Sequence, residues 1–196
     1  MMNPMTISSD QERLFQLMNE RAYREGDFTL TSGKKSTFYF DSKPVILDGE
    51  GMRVMARLIL ADIARLGLAP AAVGGMELGA VPIACAVSAL SPADEGPPPR
   101  VFIVRKKPKE HGTGQALEGR LDPGDRVVVV EDVVTTGEST WKAIQAVEAA
   151  GAEVVAVFAL LDREEPHLPA FERYRARFHP LMTLSEFRRL RAAATR

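Results

Sequence analysis

Four consecutive β-branched residues, Val127 to Val130, predict a strand buried on both faces of a parallel sheet, and the pair Glu131-Asp132 interrupts this apolar run at its carboxyl end. Small residues follow: Thr135, Thr136, Gly137 and Ser139. Beyond them Ala143, Ile144, Val147 and Ala150 recur at helical spacing, so the stretch reads as strand, turn, helix. Further buried strands are expected at Ala71 to Gly74, Val101 to Val104 and Glu153 to Leu161. Helical stripes lie between them. Leu14, Leu17, Met18 and Ala22 share a face, with Ser9 and Glu12 as a capping box at its start and Gly26 at its end. Met52, Met55, Ala56, Ile59, Leu60 and Ile63 form a second stripe, closed by Gly67, with Pro70 shortly after. Val81 to Leu90 is apolar nearly all round, and Thr183 with Glu186 opens a last helix whose arginines read as a solvated face. Between Phe28 and Asp41 the residues alternate, turn at Ser-Gly-Lys and resume as an aromatic run, which predicts a β-hairpin. Strands alternating with helices imply an α/β fold: an open, mainly parallel sheet flanked by helices. Residues 1–196 form one domain, to which 1–48 contribute a helix and the hairpin.

Composition narrows the class. Twenty-five basic side chains against 26 acidic ones leave a formal net charge of -1, and the pI near 6.3 argues against a dedicated nucleic-acid binder. Cys85 is the one cysteine, which excludes an internal disulfide framework and suits a reducing compartment; within its apolar run it reads as a packed thiol. The amino terminus has no basic segment leading into an apolar core, and no apolar run reaches membrane-spanning length. The expectation is a soluble, cytoplasmic protein with neither membrane nor nucleic-acid partner.

The turn after the tetravaline strand carries the most informative chemistry. A phosphate set there meets several backbone N–H donors and the positive end of the following helix dipole. Two carboxylates just before it suit a polyhydroxylated sugar, because they accept the hydrogen bonds that ribose hydroxyls donate. Together they point to ribose 5-phosphate. Neither GxxxxGK[ST] nor GxGxxG is present. Small residues in the loop Gly75 to Ala80 allow close approach of backbone to a ligand, although an ordinary tight connection has the same look. Arg105, Lys106, Lys107 and Lys109 set four cations beside Glu110 and His111, which is either a solvated loop or a counter-charge for a diphosphate. Tyr39 and Phe40 either pack on the core or stack on a flat ring. Arg163 stands at the carboxyl end of a strand, the edge of an open α/β sheet where ligands collect, among acidic neighbours with which it can pair. His167 and His179 stand alone, without a partner at metal-ligand spacing.

The stretch VVVVEDVVTTGES resembles the thirteen-residue fingerprint of the type I phosphoribosyltransferases. The hairpin running into Ser42 to Leu47 is similar to the amino-terminal hood of the orotate phosphoribosyltransferase family. Arg105, Lys106, Lys109 and His111 match that family's catalytic loop position by position. The resemblance spans roughly Phe28 to Phe187. It implies a Mg²⁺-dependent transfer of ribose 5-phosphate from 5-phosphoribosyl 1-diphosphate to orotate, giving orotidine 5'-monophosphate. By the same resemblance, Glu131, Asp132, Val133, Val134, Thr135, Thr136, Gly137, Glu138 and Ser139 hold the phosphorylated ribose. Lys106, Lys109 and His111 act on the leaving diphosphate with Arg105 beside them, and Asp132 joins them as a catalytic residue. Thr135, Arg163, Tyr39 and Phe40 hold orotate. No protein cage for the metal is visible, and the family's shared sites imply a homodimer. Two departures stand out: Thr31 and Gly79 occupy positions where some members carry lysines, leaving Lys34 or Lys35 to replace the first and backbone N–H groups the second. A phosphoribosyltransferase for another base and a regulator that senses phosphoribosyl diphosphate are the alternatives.

Overall fold

The computed structural model describes residues 8–29, 35–92, 96–107 and 116–194. Its main sheet has the order β5 (Leu117–Glu118), β4 (Arg100–Val104), β3 (Ala72–Met76), β6 (Arg126–Val134), β7 (Glu153–Asp162) and β8 (Phe178–Pro180). Every neighbouring pair is parallel except β4 with β5. The valines of β6 alternate between two cores, as a period of two requires. Val128 and Val130 face one cluster, with Phe158 and the helices α1 (Ser9–Leu17), α3 (Gly49–Arg65) and α4 (Ala80–Leu90). Val127 and Val129 face the other, with Ala143, Ile144 and Val147 of α5 (Glu138–Ala149) and Phe171 of α6 (Pro169–Glu172). A sheet covered on both faces explains the unbroken valine run. The strand does not stop at the acidic pair. It continues to Val134, because β7 is long enough to pair Val133 with Leu161 and Val134 with Asp162.

The amino-terminal helix departs from its expected limits. Its cap is Ser8, which exchanges hydrogen bonds with Gln11 in place of Ser9 with Glu12, and it ends in a π-helical turn, Met18–Ala22. Gly26 therefore lies inside a strand, β1 (Tyr23–Thr29), at the irregularity between Glu25 and Phe28 where β1 pairs with β2 (Lys35–Phe40). The hairpin leads into α2 (Lys43–Ile46), and Asp48 caps α3 by accepting from the N–H groups of Glu50 and Gly51.

The carboxyl-terminal helix α7 (Leu184–Ala194) holds this hood in place. Phe187, fully buried, meets Phe15 at 5.5 Å, Tyr23 at 5.3 Å and Phe40 at 6.2 Å between ring centroids. Two of its arginines are not simply solvated. The Arg191 guanidinium lies 4.1 Å from the Tyr23 ring and donates to Asn19, and that of Arg188 lies 4.8 Å from the Phe38 ring, because an aromatic face attracts a cation. Cys85 also differs from expectation. It is exposed, since α4 turns Ile83, Ala84 and Val87 inward and the intervening thiol outward.

Candidate active site

Parallel strands bring the loops after β3, β4, β6 and β7 to one edge of the sheet, where ligands of open α/β sheets bind. A cleft of about 180 Å³ opens there among Lys43, Glu77, Gly79, Lys106, Glu131, Asp132 and Ser139. A larger groove, about 690 Å³, lies at the opposite end of the strands among Leu60, Ala64, Pro70, Pro97 and Arg100. It is mainly apolar and lacks the acids and the phosphate turn, so the smaller cleft is the candidate site.

The turn from β6 into α5 has the form of an anion cradle. α5 has no side-chain cap, so the N–H groups of its first turn remain available to a ligand. Gly137, with φ of +78°, adopts the left-handed conformation, and a Cβ there would sit 2.3 Å from Phe171 Cδ1. Only glycine fits. Thr135, Thr136, Glu138 and Ser139 surround it, the threonines half-buried and the other two exposed.

The acid pair divides into two unlike members. Glu131 is buried, its Oε1 accepting from the Asp132 N–H at 3.2 Å and its Oε2 left without a hydrogen-bond partner. Burial, reinforced by repulsion from the Asp132 carboxylate, pushes its pKa well above the usual range. Burial thus disfavours the charged form of Glu131, whereas Asp132, half-buried, accepts a hydrogen bond at the cleft. Asp132 accepts from the Ser42 hydroxyl at 2.5 Å and lies against Gly79, where a Cβ would be 2.3 Å from Asp132 Oδ1. Gly79 thus gives way to the acid itself. Gly74 and Gly75 belong to β3, where a side chain would strike the carbonyls of Phe102 and Val130, so their smallness serves sheet packing rather than a ligand.

Glu131→Gln tests the proton assignment by stability alone. A raised folded-state pKa means that the folded chain keeps a proton the unfolded chain sheds above about pH 4.5, so wild-type stability falls as pH rises from there towards the raised value. Glutamine has no proton to keep. The variant should therefore melt with wild type at acid pH and above it by about 2–4 °C near neutrality. Equal melting curves at every pH would place the charge on Glu131.

Of the basic loop, Arg105 and Lys106 are at this edge, while Lys109 and His111 lie outside the described residues. Lys106 donates its N–H to Glu77 Oε1 at 2.9 Å, and Arg105 approaches Glu118 at 3.4 Å, with its Nε buried and unpartnered. Thr31 and Lys34 are also outside the described residues.

Arg163 is tied to the cradle through its main chain, its N–H donating to the Val134 carbonyl at 2.9 Å. Its guanidinium meets Glu165 at 3.2 Å and lies 5.6 Å from the Phe38 ring, and its Nε is buried without a partner. Phe38 was not legible as a site residue. Tyr39, expected beside a flat ring, is 42% exposed and leans on Phe28, whereas Phe40 packs against Phe187. His167 does have partners. Its ring is enclosed by Phe171 and Phe178, with Nε2 3.4 Å from buried Asp162, so it closes the loop that begins at Arg163. His179 packs on Phe158, and burial lowers its pKa. Among the described residues no group of three or more His, Cys, Asp or Glu is placed to hold an ion.

The phosphoribosyl transferase domain family model matches residues 46–175, which carry the central strands, the cradle and the acid pair. The orotate phosphoribosyltransferase of Bradyrhizobium diazoefficiens is 43% identical over 187 residues, 93% of this chain and 98% of the relative. That of Pyrococcus furiosus is 42% identical over 176 residues, 90% and 93% of the two chains. The crystal structure of the Mycobacterium tuberculosis orotate phosphoribosyltransferase in complex with 5-phospho-α-D-ribosyl 1-diphosphate superposes with a TM-score of 0.73 at 31% identity, covering 91% of this chain and 98% of that one. The chain belongs to the orotate phosphoribosyltransferase family.

Proposed function

We propose that the chain joins orotate to the ribose 5-phosphate of 5-phosphoribosyl 1-diphosphate, giving orotidine 5'-monophosphate and diphosphate. The observation that carries this reading is the uncapped cradle beside Asp132, with Arg163 hydrogen-bonded to the same strand end. In the transfer, a ring N–H of orotate gives up its proton to solvent and the nitrogen forms a bond to the anomeric carbon as the C–O bond to diphosphate breaks, its electron pair leaving with the diphosphate. Positive charge grows on the ribose and negative charge on the departing oxygen, so stabilising those charges lowers the barrier. The backbone of Thr135 to Ser139 holds the 5'-phosphate. Asp132 accepts from ribose hydroxyls and favours the cationic sugar. Lys106, with Lys109 and His111 from the adjoining segment, neutralises the diphosphate, and His111 can deliver a proton to it. Arg163 offers a two-pronged donor to the orotate carboxylate.

Mg²⁺ fits this site as a companion of the substrate. Asp132, the half-buried acid lining the cleft, would help hold the hydrated ion beside the substrate, since a hard cation of this kind prefers oxygen ligands and keeps much of its water. When bound, it would withdraw charge from the leaving diphosphate. A homodimer in which the basic loop enters the neighbouring site completes the proposal.

Assay of orotidine 5'-monophosphate formation from orotate, with uracil, hypoxanthine and xanthine as competing bases, tests the reading. Orotate alone should turn over. Arg163→Ala should raise the KM for orotate by about 10–100-fold, the scale of one lost hydrogen bond to a charged group, while the KM for phosphoribosyl diphosphate changes little. Preference for a base without a carboxylate would overturn the assignment of orotate.

A further inference from the structure

We propose that Ser42 is a positioning residue for the reaction, setting the orientation of the ribose-binding carboxylate through the hydrogen bond from its hydroxyl to Asp132 Oδ2. This deepens the proposed function and rests on it. A carboxylate turns about a broad, roughly two-fold terminal torsion, so strand β6 fixes where Asp132 begins but not the plane in which its oxygens lie. Ser42 supplies the missing constraint. At 4% exposure it is shielded from water, and its contact with Asp132 spans 90 residues of sequence at 2.5 Å. The serine itself is held firmly: its carbonyl accepts from the N–H groups of Val45 and Ile46, both at 2.9 Å. Just before it, the Asp41 N–H donates to the Ala22 carbonyl at 2.9 Å.

On the other side of the acid, Gly79 leaves room for Oδ1 and for no side chain of its own. One oxygen is therefore committed to Ser42, and the other remains for a ribose hydroxyl. Because Ser42 stands where the hood passes into α2, the same bond ties the base-binding half of the cleft to its sugar-binding half.

The alternative is a serine that merely fills space between α2 and β6. Ser42→Ala, Ser42→Thr and Ser42→Cys separate the two, the last keeping the volume with a weaker donor. Wild-type formation of orotidine 5'-monophosphate is measured first, and its absence would refute the proposed function rather than the role of Ser42. That role is read independently, by calorimetry of phosphoribosyl diphosphate binding with Mg²⁺. Ser42→Ala should weaken this binding and lower kcat/KM for phosphoribosyl diphosphate by roughly 10–100-fold, with KM for orotate within about two-fold. Ser42→Cys should behave like alanine, and Ser42→Thr should recover most of the loss. Unchanged sugar-diphosphate binding in Ser42→Ala would overturn the proposal. So would a loss that follows the unfolded fraction and falls equally on both substrates.

Discussion

Asp132→Asn should lower kcat for orotidine 5'-monophosphate formation by about 10²–10³-fold, the scale on which one charge-stabilising group contributes to a transition state. The amide keeps the shape of the carboxylate and can still accept one hydrogen bond, so the folded structure should survive. What is removed is negative charge beside an anomeric carbon that becomes positive only as the diphosphate leaves. The effect should accordingly fall on kcat more than on substrate binding. Glu131 is a poor substitute, since burial disfavours its charged form. Steady-state kinetics with orotate and phosphoribosyl diphosphate, alongside thermal melting, check this result. A variant within ten-fold of wild type, with an unchanged melting curve, would remove Asp132 from the charge-stabilising role.

The sequence carried the acids, the cradle and the sheet because each is written in contiguous residues. Val127 to Val130 alternate between two cores that both exclude water, so every position must be apolar, and the two polar residues that follow mark the edge where ligands bind. Long-range contacts left no such signature. Ser42 reaches Asp132 across 90 residues, and a lone serine after an aromatic strand looks like any turn residue. Phe38 reads as one more aromatic in a hairpin, and its role as a surface beneath Arg163 emerges only when the hood folds over the sheet. The raised pKa of Glu131 was equally hidden, since it arises from the depth at which β6 carries that side chain. In α4 the near-uniform apolarity that made the helix easy to recognise concealed its phase, which is why Cys85 was placed inside and lies outside. His167 seemed isolated because its partner Asp162 meets it through a loop closure rather than through helical or strand spacing.

Lys109→Ala should reduce kcat by about 10²–10³-fold on the same electrostatic grounds, and together with Asp132→Asn it tests where the basic loop acts. In the proposed homodimer, a loop that serves the site of its own chain leaves two damaged sites in a mixed dimer of the two variants. If the loop crosses to the neighbour, the Lys109→Ala chain contributes an intact acid pair that receives Lys109 from the Asp132→Asn chain. The reciprocal site then carries both lesions. Refolding an equimolar mixture forms mixed dimers in about half of the population, each with one intact site, so activity should return to about one quarter of wild type. Neither variant refolded alone should gain anything. Subunit exchange can be followed separately by tagging one chain and isolating mixed dimers, in which the expected activity rises to about half of wild type. Isolated mixed dimers no more active than the single variants would confine Lys109 to its own subunit, and would require the diphosphate to be neutralised within one chain.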